Sequence, residues 1–184
     1  MKRSTGTRRQ AQSTTDPSGA EERKGKPRRR ARLSHLGPDG GAQMVDVSAK
    51  AVTSRVAEAR GRVRMAPAAM RLVREGKLPK GAVEETARLA GILAAKRTAD
   101  VIPLCHPLLL SHVDVTLQPR RDGFVIRATV RTSSQTGAEI EALHAVAIAA
   151  LTVYDMVKAV DRGARIESLE VVAKSGGKTG TWRR

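Results

Sequence analysis

Four short constellations hold the residues able to do chemistry. The first is Leu104-Cys105-His106, set between Pro103 and Pro107. Two prolines fix φ on either side and remove backbone donors, so a stiff, non-helical loop is expected to present the His106 imidazole. A packed loop holding a satisfied structural histidine fits the same spacing. Cys105 reads as a small buried apolar residue, because no base can be paired with it from sequence. The second is Thr136-Gly137-Ala138-Glu139-Ile140-Glu141, with two carboxylates at i and i+2 where a long helix should begin. On a helix Glu139 and Glu141 point about 200° apart; on extended backbone they share a side. Plain stabilisation of a helix N-terminus by acidic residues accounts for them equally well.

The third constellation is Tyr154-Asp155-Met156-Val157-Lys158. Asp155 and Lys158 are three apart and share a helical face. Facing inward they would be an acid/base couple in a low dielectric; facing outward they would be a surface ion pair. The fourth is a set of lysines in Gly/Pro-rich context: Lys80 in Leu78-Pro79-Lys80-Gly81, and Lys174 and Lys178 in Lys174-Ser175-Gly176-Gly177-Lys178-Thr179-Gly180. Pliable backbone with open N–H groups beside lysines suits phosphate. The last run imitates a P-loop, but Val172 stands where that motif needs its first glycine, and only four residues follow Gly180 where it needs a helix.

These residues need elements to hold them. Val56, Val63 and Met65 partly alternate with basic residues over 55–65, which predicts a strand. Pro67 suits the first turn of a helix ending near Gly76. Val83, Ala87, Ala90, Leu93 and Ala94 recur at helical spacing, so 82–97 reads as a helix closed by Lys96 and Arg97. The alternations over 112–117 and 124–130, with Arg120–Gly123 between them, predict a hairpin. Residues 137–160 are Ala-rich and apolar on more than one side, hence a long buried helix, and Ile166 to Val172 forms a last strand. The order β-α-α-β-β-α-β implies a two-layer α+β domain, its mainly antiparallel sheet covered by helices on one face. One helix holding both Glu141 and Asp155 would set them 14 residues apart, about 21 Å along the axis. One small reaction centre cannot reach both from one subunit, so either one of them matters or a neighbouring chain completes the site; an oligomer with shared sites is the expectation.

Composition narrows the function. Net charge is +16, and eleven Lys/Arg against three acids place half of it in residues 1–32, which contain no Val, Ile, Leu, Phe, Trp or Tyr. Such a segment cannot offset its ordering entropy by burial, so 1–34 is expected to be a disordered basic extension, solvated or touching nucleic acid non-specifically through phosphate. Phe124, Tyr154 and Trp182 are the only aromatics, which argues against a stacking platform for single strands. The apolar run Ala145–Val153, broken only by Thr152, falls short of the ~20 residues of a membrane span. A single cysteine excludes an internal disulfide and is compatible with a reducing compartment. The basic start lacks the apolar stretch of a secretory signal.

Several stretches together carry a resemblance. They are Met44-Val45-Asp46-Val47-Ser48-Ala49-Lys50, Ala90-Gly91-Ile92 with Ala94 to Thr98, Asp100 with Ile102 to Leu108, Thr136-Gly137 with Glu139, Glu141-Ala142-Leu143, Tyr154-Asp155-Met156 with Lys158-Ala159-Val160, and Lys174 to Gly177. In this order they resemble the cyclic pyranopterin monophosphate synthase family of molybdenum-cofactor biosynthesis. The resemblance spans about Met44 to Gly180, within a catalytic domain taken as 35–184. It implies a ferredoxin-like subunit in a cytoplasmic homohexamer, a trimer of dimers, with active sites between subunits. The small-molecule substrate would be (8S)-3′,8-cyclo-7,8-dihydroguanosine 5′-triphosphate and the products cyclic pyranopterin monophosphate and pyrophosphate, with no metal or organic cofactor and no membrane. It assigns catalysis to Asp155, Lys158 and Lys80. Substrate binding falls to Leu104, Cys105 and His106, to Glu139, Ile140 and Glu141, and to Lys174 and Lys178. Three positions depart from the family pattern: Ala82 (usually Asp), Ile140 (often Met, and expected still to pack) and His144 (usually Thr). The competing class is a basic RNA-binding protein that uses the extension and the lysine loops.

Overall fold

In a computed structural model the described residues are 40–184; the basic extension and the 34/35 domain boundary lie outside them. Nine elements follow one another: β1 (Thr53–Arg64), α1 (Pro67–Arg74), α2 (Val83–Lys96), α3 (Thr98–Val101), β2 (Leu110–Arg120), β3 (Gly123–Ser134), α4 (Glu139–Val157), β4 (Arg165–Ser175) and β5 (Trp182–Arg183). The strands form one sheet in the order β2-β3-β1-β4-β5, antiparallel at every pair. β3 lies between β1 and β2, and β1 between β3 and β4, so both helical connections cross over a strand. This is the ferredoxin-like, two-layer α+β arrangement expected. The turn α3 and the short edge strand β5 were not anticipated, because four and two residues are too few to show a period.

Period-2 alternation decides which face of the sheet is dry. Ala57, Ala59 and Val63 of β1 bury their side chains with Val115 and Leu117 of β2 and with Phe124, Ile126, Ala128 and Val130 of β3. Against them lie Ala142, Ala145, Val146, Ala149, Val153 and Val157 of α4 and Val83 and Ala87 of α2. Fully burying a side chain such as Phe124 or Ile126 contributes about 1.5–3 kcal/mol. Small residues let the two long helices meet closely. A Cβ on Gly91 would come within 2.8 Å of the Ala145 carbonyl and 3.3 Å of Ala149. α4 has the length and mean hydropathy, 1.5, of a bilayer-crossing helix. Its buried residues occupy the core instead, which explains why its apolar pattern has no single side.

Candidate active site

α4 carries site residues at both ends. In its first turn Glu139 and Glu141 diverge as helical geometry requires. Glu141 points inward and is 2% exposed. Its Oε1 accepts a hydrogen bond from the Cys105 thiol at 3.4 Å, while its Oε2 is buried without a partner among the described residues. Burial raises the Glu141 pKa above the usual carboxylate value, and the nearby Glu139 charge pushes the same way. Burial, reinforced by Glu141, likewise pushes the Cys105 thiol up to about 11, so it stays protonated at neutral pH. The expectation that Cys105 is no nucleophile agrees with this, but the expected burial does not: Cys105 is half-buried and lines a cleft. Glu139 turns to the other side and pairs with Lys174 of β4 at 2.8 Å. The N-cap residue, Ala138, makes no side-chain cap on the helix.

The loop after α3 runs along this end of the helix. A turn from Ile102 O to Cys105 N at 3.0 Å sets its course. His106 is half-buried, and its Nε2 donates to the backbone carbonyl of Val45 at 2.8 Å. Leu104, Cys105 and His106 line a cleft of about 640 Å³ together with Ile140, Val45 and Val47. Ile140, expected to pack, is 41% exposed and forms part of that lining. A second cleft, of about 710 Å³, is cationic: Lys50, Arg55, Lys174 and Lys178 line it against a single carboxylate, Glu139. Lys50, Thr136, Gly137 and Glu139 belong to both clefts, so the two adjoin.

Local structure explains how the cationic cleft is held open. Arg55 Nε donates to Ser134 O at 2.9 Å and a terminal nitrogen donates to Gln135 O at 3.0 Å, which ties the end of β3 to β1. After β4 the chain turns at Gly176 (φ +90°) and Gly177 (φ +73°), and a side chain at 177 would run into the Arg55 guanidinium. Only glycine takes both that backbone and that contact. Lys50 and Arg55 went unassigned in the sequence reading. Lys50 sits in the Met44–Lys50 stretch that carried part of the resemblance, the only signal that could have pointed to it.

At the other end of α4, Asp155 accepts from Lys158 Nζ at 2.9 Å and from Lys80 Nζ at 2.5 Å. All three side chains are about half exposed. The inward-facing pair in a low dielectric is therefore not what this chain forms: Asp155 lies on the outer side of α4, opposite Val153, Met156 and Val157, which fill the core. Hydrogen bonds from Lys158 and then Lys80 lower the Asp155 pKa to about 2, and Asp155 in turn raises that of Lys158. Ala82 caps α2 only through its carbonyl, which accepts from the Thr86 hydroxyl and N–H; Lys80 finds its carboxylate on α4 instead. His144, the third departure, lies 3.2 Å from the buried Thr98 hydroxyl. Both Glu141 and Asp155 lie on α4, so the expected separation of about 21 Å holds. Among the described residues no three His, Cys, Asp or Glu side chains gather closely enough to hold a metal ion.

A helix-backed antiparallel sheet whose cationic cleft adjoins an apolar one defines a two-layer α+β protein equipped to attract a small polyanion. Within that class the chain belongs to the MoaC family, whose profile matches residues 44–177. It is 56% identical over 156 residues to a protein of Thermomicrobium roseum, covering 84% of this chain and 94% of that one. It is 57% identical over 154 residues to one of Methylobacterium sp., covering 83% and 96%, and 54% identical over 158 residues to one of Nostoc sp., covering 85% and 94%. All three bear the name cyclic pyranopterin monophosphate synthase.

Proposed function

We infer that this chain is a cyclic pyranopterin monophosphate synthase, an enzyme of molybdenum-cofactor biosynthesis. It converts (8S)-3′,8-cyclo-7,8-dihydroguanosine 5′-triphosphate to cyclic pyranopterin monophosphate with release of pyrophosphate. The observation that carries the reading is likeness above half identity along nearly the whole of relatives so named. The adjoining clefts support it: one is charged as a triphosphate requires, and the other sets Val45, Val47, Ile102, Leu104 and Ile140 beside one imidazole, with Lys50 and Glu139 shared between them, as a fused ring bearing phosphates requires.

The reaction needs proton transfers to rebuild the purine-derived ring, then attack of a ribose-derived hydroxyl on the α-phosphate. Asp155 and Lys158 act as the acid/base pair. Two ammonium groups, of Lys158 and Lys80, hold Asp155 ionised and weakly basic. A substrate phosphate that draws Lys80 away raises the Asp155 pKa toward the working range, so binding itself primes the base. Lys174 and Lys178 screen the charge of the leaving pyrophosphate, Leu104, Cys105, His106, Ile140 and Glu139 contact the substrate, and Glu141, buried behind the cleft wall, acts on it through Cys105. Because the Asp155 group and the clefts lie at opposite ends of α4, each site takes Asp155, Lys158 and Lys80 from one subunit and the clefts from another. The assembly is a homohexamer, a trimer of dimers, in the cytoplasm. Exposed apolar side chains on the helices, Leu89, Leu93 and Leu151, support an assembled state.

Incubating the protein with the cyclic nucleotide and following pyrophosphate release and pterin formation tests the reading. Absence of both products, with RNA binding that survives removal of residues 1–34, would instead establish the RNA-binding class.

A further inference from the structure

The segment Met44–Lys50 has no regular secondary structure, yet its backbone is pinned at two points. Val45 O accepts from His106 Nε2 at 2.8 Å, and Ser48 O accepts from Gln135 Nε2 at 3.2 Å. Between these points it is braced from within: Ser48 N donates to Asp46 Oδ1 at 2.9 Å, and Lys50 N donates to Val47 O at 2.9 Å. Val45 and Val47 face the apolar cleft, and Lys50 stands where the two clefts join.

The four cations of the cationic cleft are unequal. Lys174 is already paired with Glu139, and two nitrogens of Arg55 are committed to Ser134 and Gln135 carbonyls. Lys50 is exposed, and no carboxylate among the described residues lies within ion-pair distance of it. Its charge is therefore available to a ligand anion, at the junction where the phosphate chain and the ring system of one molecule would meet. Lys178 is the other cation so placed, but it rides on the Gly-rich turn and lines only the cationic cleft.

We propose that Met44–Lys50 is a substrate-binding strap: Lys50 contacts the phosphate nearest the nucleoside, and His106 and Gln135 are positioning residues that hold the strap by its carbonyls. This deepens the synthase reading and rests on it. Beside its own contact with the substrate, His106 then serves binding through Val45, with no proton transfer asked of it. Its Nε2 proton is engaged by a backbone acceptor, which fixes the tautomer and orients the ring.

The test uses the full-length chain and inorganic tripolyphosphate as probe. Binding is followed by calorimetry, and inhibition of turnover by the same anion is measured alongside. Lys50→Ala weakens tripolyphosphate binding about tenfold or more, the loss expected for one charged hydrogen bond, and raises KM with a smaller change in kcat; Lys50→Arg restores most of the binding. His106→Ala produces the same KM-weighted defect, and His106→Gln, whose amide also donates, recovers part of it. In the double variant Lys50→Ala/His106→Ala the two losses are less than additive, because each disables the same strap. The proposal is overturned if Lys50→Ala leaves tripolyphosphate affinity within about twofold of the parent. It is equally overturned if His106→Ala lowers kcat with binding unchanged, or if the two losses simply add. Calorimetry reads the strap even in a protein that turns over no cyclic nucleotide, so failure of the synthase reading and failure of the strap are separate results.

Discussion

Two inactive variants should make an active enzyme when they share an oligomer. The perturbations are Asp155→Ala, which removes the carboxylate proposed to transfer protons, and Glu141→Ala, which removes the buried carboxylate beside Cys105. Their positions differ by 14 residues on one continuous helix, and at 1.5 Å per residue the groups lie about 21 Å apart. A helix does not fold back on itself, so one site uses both only by taking them from two chains. In random one-to-one assemblies, the subunit supplying Glu141 has it intact half the time, and so has the subunit supplying Asp155. About one quarter of sites then hold both groups, and activity should reach about one quarter of the parent enzyme's. The variants carry different tags, are co-expressed or refolded together, and are purified through both tags before pyrophosphate release is measured. Glu141→Gln keeps the shape of the buried side chain and replaces Glu141→Ala if the latter folds poorly. Doubly tagged oligomers that stay as inactive as their parents would refute the argument, because the two carboxylates would then belong to one chain's site or to none in common.

Packing and charge give three further tests. Gly91→Val should destabilise the fold by about 1–3 kcal/mol, because its Cβ meets the Ala145 carbonyl at 2.8 Å; an unchanged denaturant midpoint would show that α2 and α4 yield there. Glu141 has a folded pKa raised above 4.5, so its contribution to stability is present below pH 4.5 and lost as pH rises through the folded value. Glu141→Gln should remove that decline, leaving the variant relatively more stable at neutral pH, and parallel stability–pH curves would contradict the assignment. Removing residues 1–32, which contain no Val, Ile, Leu, Phe, Trp or Tyr, should change neither melting temperature nor turnover; a marked fall in either would reveal a docking site for the extension.

Elements with a repeating pattern are legible in the sequence. β1, β2 and α2 fall within three residues of where alternation and helical spacing put them, Pro67 opens α1 as expected, and β3 runs four residues past the alternation that marks it. α4 is shorter than its apolar run because Gly137 and Ala138 lead into it and the chain turns after Val157. The site was legible as a set of residues but not as an arrangement. Asp155 and Lys158 were correctly placed on one face; whether that face looked inward could not be read from neighbours that are apolar all round. Lys50 and Arg55 escaped notice because a single cation on a loop or an edge of β1 has no period to betray it.

The sequence by itself determined the layer architecture and, with one helix holding both, the distance between Glu141 and Asp155. Both follow from element order and from a fixed rise per residue, which need no knowledge of what packs where. Tertiary structure decided the rest: that Glu139 meets Lys174, that Lys80 reaches Asp155 across 75 residues of chain, and that His106 holds Val45. Such pairings depend on how strands and helices are brought together by burial of their apolar faces, a collective property of the core that no local spacing encodes.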